Sequence, residues 1–334
     1  MTAAQPVLHN TRPQLIPIDG LSICCWRCDA LLRPIAPECA AYSETFVCRR
    51  CGVANALQDG IWRSLASEEA SKFERFIREY ELVRAAESRG SADSEYYLAL
   101  PFEDMTGKLP EQWKIRAATF RHMERHIIAP LAARRGRPLR ILDLGAGNGW
   151  LSYRLSLLGH RPVAVDLLTN ERDGLGAAMH YAEHLPSMFP RVQASLDQLP
   201  FPNEAFDLAI FNASFHYSTR YARTLGEALR CVREDGQVAI ADTPWYRHEA
   251  SGLRMVEEKH AYFKAAYGFA SDSLPSEEFL TPQRLDRLAS TLRIGWRVLK
   301  PFYGIDWALR PLRAKLARRR PPSKFRIFVA EVSA

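Results

Sequence analysis

The sequence predicts an α/β protein built on a doubly wound, mostly parallel sheet that follows a small cysteine-rich module and a helical connector. From Leu139 onward, short apolar runs alternate with helix-length segments, which is typical of such sheets. A glycine-rich turn follows the first run, and six cysteines cluster between positions 24 and 51. Seven strands are expected, the last two as an antiparallel pair, and they span 140–145, 162–168, 192–196, 206–212, 237–243, 295–304 and 325–332.

Length and composition bound what the chain can be. Its 334 residues are 47% apolar and 25% charged, which indicates a folded protein with room for more than one core. The chain lacks an apolar run of about 18 residues and its N-terminus lacks a secretory pattern, so we expect a soluble, cytoplasmic protein. The net charge of +7 is local, because eight basic residues and no acidic residue lie between Arg310 and Arg326.

Four regions follow from these patterns. We predict a flexible arm at 1–20, a cysteine module at 21–66, a helical connector that caps the substrate side at 67–138, and the sheet domain at 139–334. The connector should hold helices at 67–87 and 111–133 with an aromatic loop between them. Residues 244–280 are expected to form a lid-like insertion, and the alternative is a dimerisation helix.

The turn ILDLGAGNGW places Gly145, Gly147 and Gly149 between a strand and a helix, where backbone N–H groups can approach a ligand closely. A dinucleotide fingerprint would need glycine at position 150, and Trp150 stands there, which disfavours NAD. Asp166, at the end of the second strand, is placed to accept hydrogen bonds from both hydroxyls of a ribose. The pattern predicts a nucleoside site, with a tight turn that binds no ligand as the alternative.

Three segments, ILDLGAGNGW, QLPFPNEAFDLAIFNASFHY and LGEALRCVREDGQVAIAD, resemble the class I S-adenosylmethionine-dependent methyltransferases. The resemblance extends from Leu139 to the C-terminus and implies a Rossmann-like sheet with S-adenosyl-L-methionine as its cofactor. The cofactor-binding residues that it implies are Asp143, Gly145, Ala146, Gly147, Gly149, Asp166, Leu167, Leu196, Asp197 and Asn212. In this scheme the glycine turn holds the methionine portion and the 195–197 loop holds the adenine, whose amine meets either Ser195 or Asp197.

The chemistry of methyl transfer asks little of the protein, because a sulfonium methyl is already activated and the acceptor must mainly be held in line with it. A base is needed only if the acceptor loses a proton. His216 and Tyr217, just beyond the fourth strand, are the candidate catalytic residues. A packing role for His216 is the alternative, and Tyr217, Tyr96 and Tyr97 are expected to line either an acceptor pocket or the core.

The motifs Cys25-x2-Cys28 and Cys48-x2-Cys51 have the spacing of a four-cysteine zinc ribbon. Cys24 is a weaker alternative to Cys25, and a redox pair is a weaker alternative to metal binding. The segment resembles the zinc-ribbon modules that partner or are fused to tRNA, rRNA and protein methyltransferases. It implies a structural Zn²⁺ that supplies much of the ribbon's folding energy, and Cys39 and Cys231 are expected not to be ligands.

Three functions remain open. The favoured one is S-adenosylmethionine-dependent methyl transfer to an O, N or C acceptor on a small or lipid-linked molecule, because the aromatic connector and the lid would enclose the site. Methylation of an rRNA or tRNA base is suggested by the ribbon and the basic segment 310–326, and a non-catalytic cofactor-binding partner protein is the least favoured. Segment 310–326 is either a solvated helix or a docking patch for an anionic surface, membrane or RNA. The sequence does not indicate an oligomeric state.

Overall fold

A ten-stranded sheet runs through the computed structural model, which describes residues 21–34 and 43–331. Seven of its strands come from the C-terminal part of the chain: β6 (Arg140–Leu144), β7 (Arg161–Asp166), β8 (Arg191–Gln193), β9 (Phe206–Asn212), β10 (Val232–Ala241), β11 (Gly295–Leu299) and β12 (Ile327–Glu331). Their order is β11-β12-β10-β9-β6-β7-β8, in which β12 is antiparallel to both neighbours and the other pairs are parallel. The predicted seven-stranded doubly wound sheet is confirmed. The predicted arm at 1–20 and Cys39 lie outside the described residues.

The other three strands of the sheet come from the cysteine module. They are β3 (Glu44–Val47), β4 (Ala54–Gln58) and β5 (Ile61–Arg63), and they follow a separate hairpin of β1 (Ser22–Cys24) and β2 (Leu31–Pro34). β5 pairs in parallel with β8, and Leu21, Ile23, Leu57 and Trp62 join the core of the large sheet. The predicted module at 21–66 and the predicted sheet domain at 139–334 thus share one sheet and one core.

Helices cover both faces of this sheet. They are α1 (Ser67–Ala86), α2 (Ser94–Ala99), α3 (Pro110–Met123), α4 (Ala129–Arg135), α5 (Trp150–Leu157), α6 (Tyr221–Cys231), α7 (Glu249–Tyr267), α8 (Pro282–Leu292) and α9 (Ile305–Leu316). A π-helical turn at Glu124–Ile128 joins α3 to α4, so the helix predicted at 111–133 is present with one irregular turn. The aromatic segment predicted as a loop contains α2 instead, because Asp93 caps the first turn and Tyr96 and Tyr97 pack into the core.

The strands divide their side chains between two apolar layers. Leu142, Val163 and Phe211 point into the layer beneath α6 and α8, whereas Ile141 and Ile210 point into the layer beneath α3 and α5. Burial on both faces explains why these strands are apolar without alternation. The carboxyl ends of β6, β7, β9 and β10 therefore meet at one edge of the sheet, the usual position of a ligand crevice.

Among the helices of the described residues, none combines the length and apolar character needed to cross a bilayer.

Candidate active site

The glycine turn after β6 is shaped by contacts that exclude larger residues. Gly145 has a φ of 74°, and a Cβ atom built on it would lie 2.2 Å from the Cβ of Ser214. The backbone N–H of Gly145 donates to the carbonyl of Val165 at 2.8 Å, which ties the turn to β7. Gly149, with a φ of 79°, begins α5 and packs against Phe189. The positive φ angles and the close neighbours of these two positions therefore require glycine.

Two buried carboxylates stand beside this turn. Asp166, the last residue of β7, accepts hydrogen bonds from the backbone N–H groups of Gly147 and Leu168, both at 2.8 Å. Asp143 accepts a hydrogen bond from the Ser152 hydroxyl at 2.8 Å. Burial raises the pKa of Asp166 to about 6 and that of Asp143 to about 7, because desolvation penalises the charged form. A ligand that brings hydrogen-bond donors or positive charge would stabilise the ionised form of both carboxylates.

A first cavity, which we call the cofactor cavity, opens at the ends of β6, β7 and β9. Eight of the ten residues predicted to bind the cofactor line it, and they are Asp143, Gly145, Ala146, Gly147, Asp166, Leu167, Leu196 and Asn212. The buried side-chain oxygen of Asn212 has no hydrogen-bond partner among the described residues. An unpartnered polar atom in a cavity wall indicates a place where a ligand donates.

The other two predicted residues do not line this cavity. Gly149 serves the start of α5, as described above. The carboxylate of Asp197 accepts a hydrogen bond from the Thr224 hydroxyl and lies 4.0 Å from Arg223, so it faces α6. Ser195 is buried and also absent from the cavity wall. Leu196 is the residue of the 195–197 loop that lines the cavity. Ser195 and Asp197, the two alternatives predicted to meet the adenine amine, do not line it.

The roof of the cofactor cavity comes from helices of the connector at 67–138, which was predicted to cap the substrate side. Phe76, Tyr80 and Arg84 on α1 and Trp113 and Arg116 on α3 all line it. The helical spacing of the aromatic residues on α1 was visible in the sequence. Such a stripe fits a core and a ligand wall equally well, and only the fold decides between them.

A second cavity, which we call the acceptor cavity, adjoins the first. The two share five residues, namely Tyr80, Arg84, Arg116, Ala213 and Tyr217. The ring of Tyr217 meets that of Tyr80 edge-on, with centroids 5.7 Å apart. Helix α7, in the predicted lid-like insertion, contributes Met255, Lys259 and Phe263 to the wall of the acceptor cavity. Tyr96 and Tyr97 line neither cavity and belong to the core.

Two titratable groups of the acceptor cavity have unpartnered atoms. His216 follows β9, and its Nδ1 has no partner among the described residues. Burial lowers the pKa of His216 to about 4, so its ring is neutral at pH 7. Asp242 follows β10, accepts a hydrogen bond from the Thr119 hydroxyl at 2.7 Å, and leaves its Oδ2 unpartnered within the described part of the chain. Burial raises the pKa of Asp242 to about 6, so it is the stronger base of the two.

Arg116 carries the one cation of the acceptor cavity that has neither an ion pair nor a hydrogen bond within residues 21–34 and 43–331. Its guanidinium lies over the ring of Trp113, 5.1 Å from the centroid. Burial lowers the pKa of Arg116 to about 10, which leaves it charged at pH 7. The other cations in the cavity wall have carboxylate partners, in the pairs Arg84–Asp173, Arg89–Glu87 and Lys259–Glu278. An anion that enters the cavity would therefore meet Arg116.

The cysteine module brings four thiols together, away from both cavities. The Sγ atoms of Cys25, Cys28, Cys48 and Cys51 all lie within 4.8 Å of one another. Two of the separations are 3.7 Å and 3.6 Å, close to the roughly 3.8 Å expected between sulfurs bound at about 2.3 Å to a tetrahedral zinc ion. Cys24 and Cys231 are both buried and lie outside this group. Cys231 belongs to the core, as predicted.

Comparison with known proteins agrees with this geometry. Residues 142–240, which hold the glycine turn, Asp166 and Asn212, match the family model described as a methyltransferase domain. The chain carries a class I S-adenosylmethionine-dependent methyltransferase domain. The predicted family is thereby confirmed.

Similar proteins carry methyltransferase names. A malonyl-[acyl-carrier protein] O-methyltransferase of Geobacter sulfurreducens is 32% identical over 165 residues, which are 48% of this chain and 52% of that protein. A sarcosine/dimethylglycine N-methyltransferase of Halorhodospira halochloris is 28% identical over 48% of this chain and 58% of its own. The chain thus spans about half the length of these curated relatives of its methyltransferase domain. The solved structure of a 1,6-didemethyltoxoflavin-N1-methyltransferase of Burkholderia thailandensis aligns with a TM-score of 0.47 and 18% identity, over 87% of this chain and 100% of that chain.

Proposed function

We propose that the protein transfers a methyl group from S-adenosylmethionine to a small or lipid-linked acceptor that carries a carboxylate. The observation that carries this proposal is the pair of adjoining cavities, which share Tyr217 and Arg116. One cavity is lined by residues predicted to bind the nucleoside, and the other has room for an acceptor beneath α1, α3 and α7. A site enclosed in this way suits a small acceptor better than a base within a folded RNA.

The residues of the cofactor cavity fit S-adenosylmethionine. The ribose hydroxyls would supply donors to Asp166, and the amino group of the methionine portion would supply a donor to the unpartnered oxygen of Asn212. When bound, the cofactor supplies a methyl group already activated by a sulfonium. A positively charged ligand in this cavity would favour the ionised forms of Asp143 and Asp166, whose pKa values burial raises.

Arg116 gives the acceptor its chemical class. A guanidinium presents parallel N–H donors that match a carboxylate, and the half-buried guanidinium of Arg116 has no carboxylate partner within the described residues. The names of the two curated relatives support this assignment, since a malonyl group and sarcosine each carry a carboxylate. The protein's own part in catalysis would then be to hold the acceptor against the methyl group and to exclude water with the aromatic residues of α1.

Asp242 is the residue that would accept a proton, if the acceptor must lose one. Its unpartnered Oδ2 lies in the wall of the acceptor cavity, and its pKa of about 6 leaves it mostly ionised at pH 7. His216, predicted as the candidate base, lines the same cavity but is the weaker base. Burial raises the pKa of Tyr217 well above the ordinary value, so its hydroxyl stays protonated at neutral pH and cannot accept the proton. We assign Tyr217 to the wall between the two cavities.

We also propose that Cys25, Cys28, Cys48 and Cys51 hold one structural zinc ion. Four thiolates close a tetrahedral site and leave no position for water, so the metal would take no part in methyl transfer. Metal analysis should give about one zinc ion per chain. Cys48→Ser should lower both the zinc content and the stability. Purified protein without zinc would exclude this site.

The function is tested by titrating the protein with S-adenosylhomocysteine in a calorimeter and by assaying methyl transfer to malonate and sarcosine, with malonamide and sarcosinamide as uncharged controls. Asp166→Ala should weaken binding about 10- to 150-fold, because a charged acceptor of hydrogen bonds contributes about 1.5–3 kcal/mol. The matched control is Asp197→Ala, which should bind normally because that carboxylate faces α6. Wild-type protein that fails to bind S-adenosylhomocysteine would refute the function, and equal methylation of acids and amides would refute the acceptor class.

A further inference from the structure

Helix α9 turns a stripe of large apolar side chains toward solvent. Its members are 38–77% exposed, and they are Ile305, Leu309, Leu312 and Leu316, with Phe302 just before the helix. Steps of three and four residues place the four helical positions on one face. On the other face, the ring of Trp307 stacks on that of Phe325 with centroids 5.3 Å apart, and Arg310 covers Trp307. The helix is thus held by one face and leaves its apolar face uncovered by the described residues.

Positive charge surrounds this stripe. The segment from Trp307 to Ala330 contains no acidic residue. Lys315, Arg318 and Arg319 are exposed and form no ion pair with the described part of the chain. Apolar and cationic side chains thus occupy the same surface, which is the composition of helices that lie in the interface of an anionic bilayer.

The basic side of α9 reaches the wall of the acceptor cavity. A surface groove is lined by Arg254 of α7 and by Arg310, Arg318, Arg319 and Arg320. Pro244 and Met255 line both this groove and the acceptor cavity. A surface bound at α9 would therefore lie next to the cavity that we assign to the acceptor.

We propose that α9 and the basic segment that follows it form a docking surface for an anionic lipid bilayer. The stripe enters the headgroup region while the flanking cations meet lipid phosphates. A second copy of the chain is a poor occupant, because it would bring like charges together. An RNA backbone would satisfy the cations but leave five large apolar side chains in water. A bilayer satisfies both.

The test is co-sedimentation of the full chain with vesicles of phosphatidylcholine alone and of phosphatidylcholine mixed with phosphatidylglycerol, at low and high salt. Wild type should prefer the anionic vesicles and release them at high salt. L312S/L316S should weaken this binding about tenfold or more through lost apolar burial, and R318Q/R319Q about tenfold through lost charge. The matched controls are L157S/L158S, which alters two exposed leucines near the end of α5, and K72Q/R78Q on α1.

Every variant should still bind S-adenosylhomocysteine, which separates this proposal from the proposed function. Equal binding to neutral and anionic vesicles, or binding to neither, would overturn it. So would salt-sensitive binding to structured RNA without vesicle binding, or self-association that L312S/L316S abolishes in the absence of vesicle binding.

Discussion

The cofactor cavity and the acceptor cavity touch each other but are built in different ways. The floor of the cofactor cavity, beneath the roof that α1 and α3 supply, is a turn and two strand ends that are close in sequence, and Gly145 and Asp166 are fixed there by backbone contacts. The acceptor cavity is assembled from side chains of α1 and α3 and from those of α7, which lies more than a hundred residues further along the chain. The difference teaches that a ligand bound by backbone geometry leaves a local pattern in the sequence. A ligand bound by converging side chains leaves none.

The largest effect should come from the backbone of the cofactor cavity. Gly145→Ala places a methyl group 2.2 Å from the Cβ of Ser214, so we expect cofactor affinity to fall more than about 100-fold and stability to fall by about 3 kcal/mol or more. Gly159→Ala is the matched control, with a φ of 79° and no atom within 4 Å of the added Cβ. It should cost about 1–2 kcal/mol and leave cofactor binding intact. Calorimetry measures cofactor affinity and urea unfolding measures stability. Equal losses of affinity and stability in the two variants would contradict the steric explanation.

A side chain of the acceptor cavity should have an intermediate effect. Arg116→Met removes the unpaired cation, so malonate binding to the protein loaded with S-adenosylhomocysteine should weaken about 10- to 150-fold. Affinity for S-adenosylhomocysteine itself should change much less. Arg121→Met on the same helix is the control, since Arg121 is exposed and lies over Phe102 outside both cavities. Equal loss of malonate and cofactor binding would mean that the two cavities cannot be separated in this way.

The smallest effect is a pH dependence of stability. Because burial raises the pKa of Asp242 from 3.8 to about 6, the folded state holds this proton more tightly than the unfolded state. Its contribution to stability is greatest below pH 4 and is lost as pH rises through 6. Asp242→Asn removes this dependence, so the stability of wild type relative to the variant should fall by about 1 kcal/mol between pH 5 and pH 6. Urea unfolding at several pH values measures it, and a constant difference would show that Asp242 ionises as it does in water.

The extent of what the sequence could predict follows the same division. The seven strands, the glycine turn and Asp166 were predictable, because apolar periodicity and turn chemistry are local properties. The cluster of four cysteines was predictable because its members come in two short, spaced pairs, a spacing typical of metal sites. The orientation of Asp197 was not predictable, because side chains of one loop point in different directions and Thr224, which donates to its carboxylate, is distant in sequence. Arg116 was missed, since nothing in a helix marks which arginine will lack a partner.

The pairing of β5 with β8 has a consequence for how the protein avoids association. Strand β8 is three residues long and would otherwise end the sheet with unpaired N–H and C=O groups, which invite edge-to-edge contact with other chains. The β3–β4 hairpin moves that edge outward to four residues that include Glu44, and Cys48 and Cys51 lie in the turn of this hairpin. Four thiolates bound to the proposed zinc ion would therefore stabilise the hairpin that covers this sheet edge. If the proposed zinc ion is bound there, its removal should expose that edge, and the chain should precipitate before its methyltransferase core unfolds.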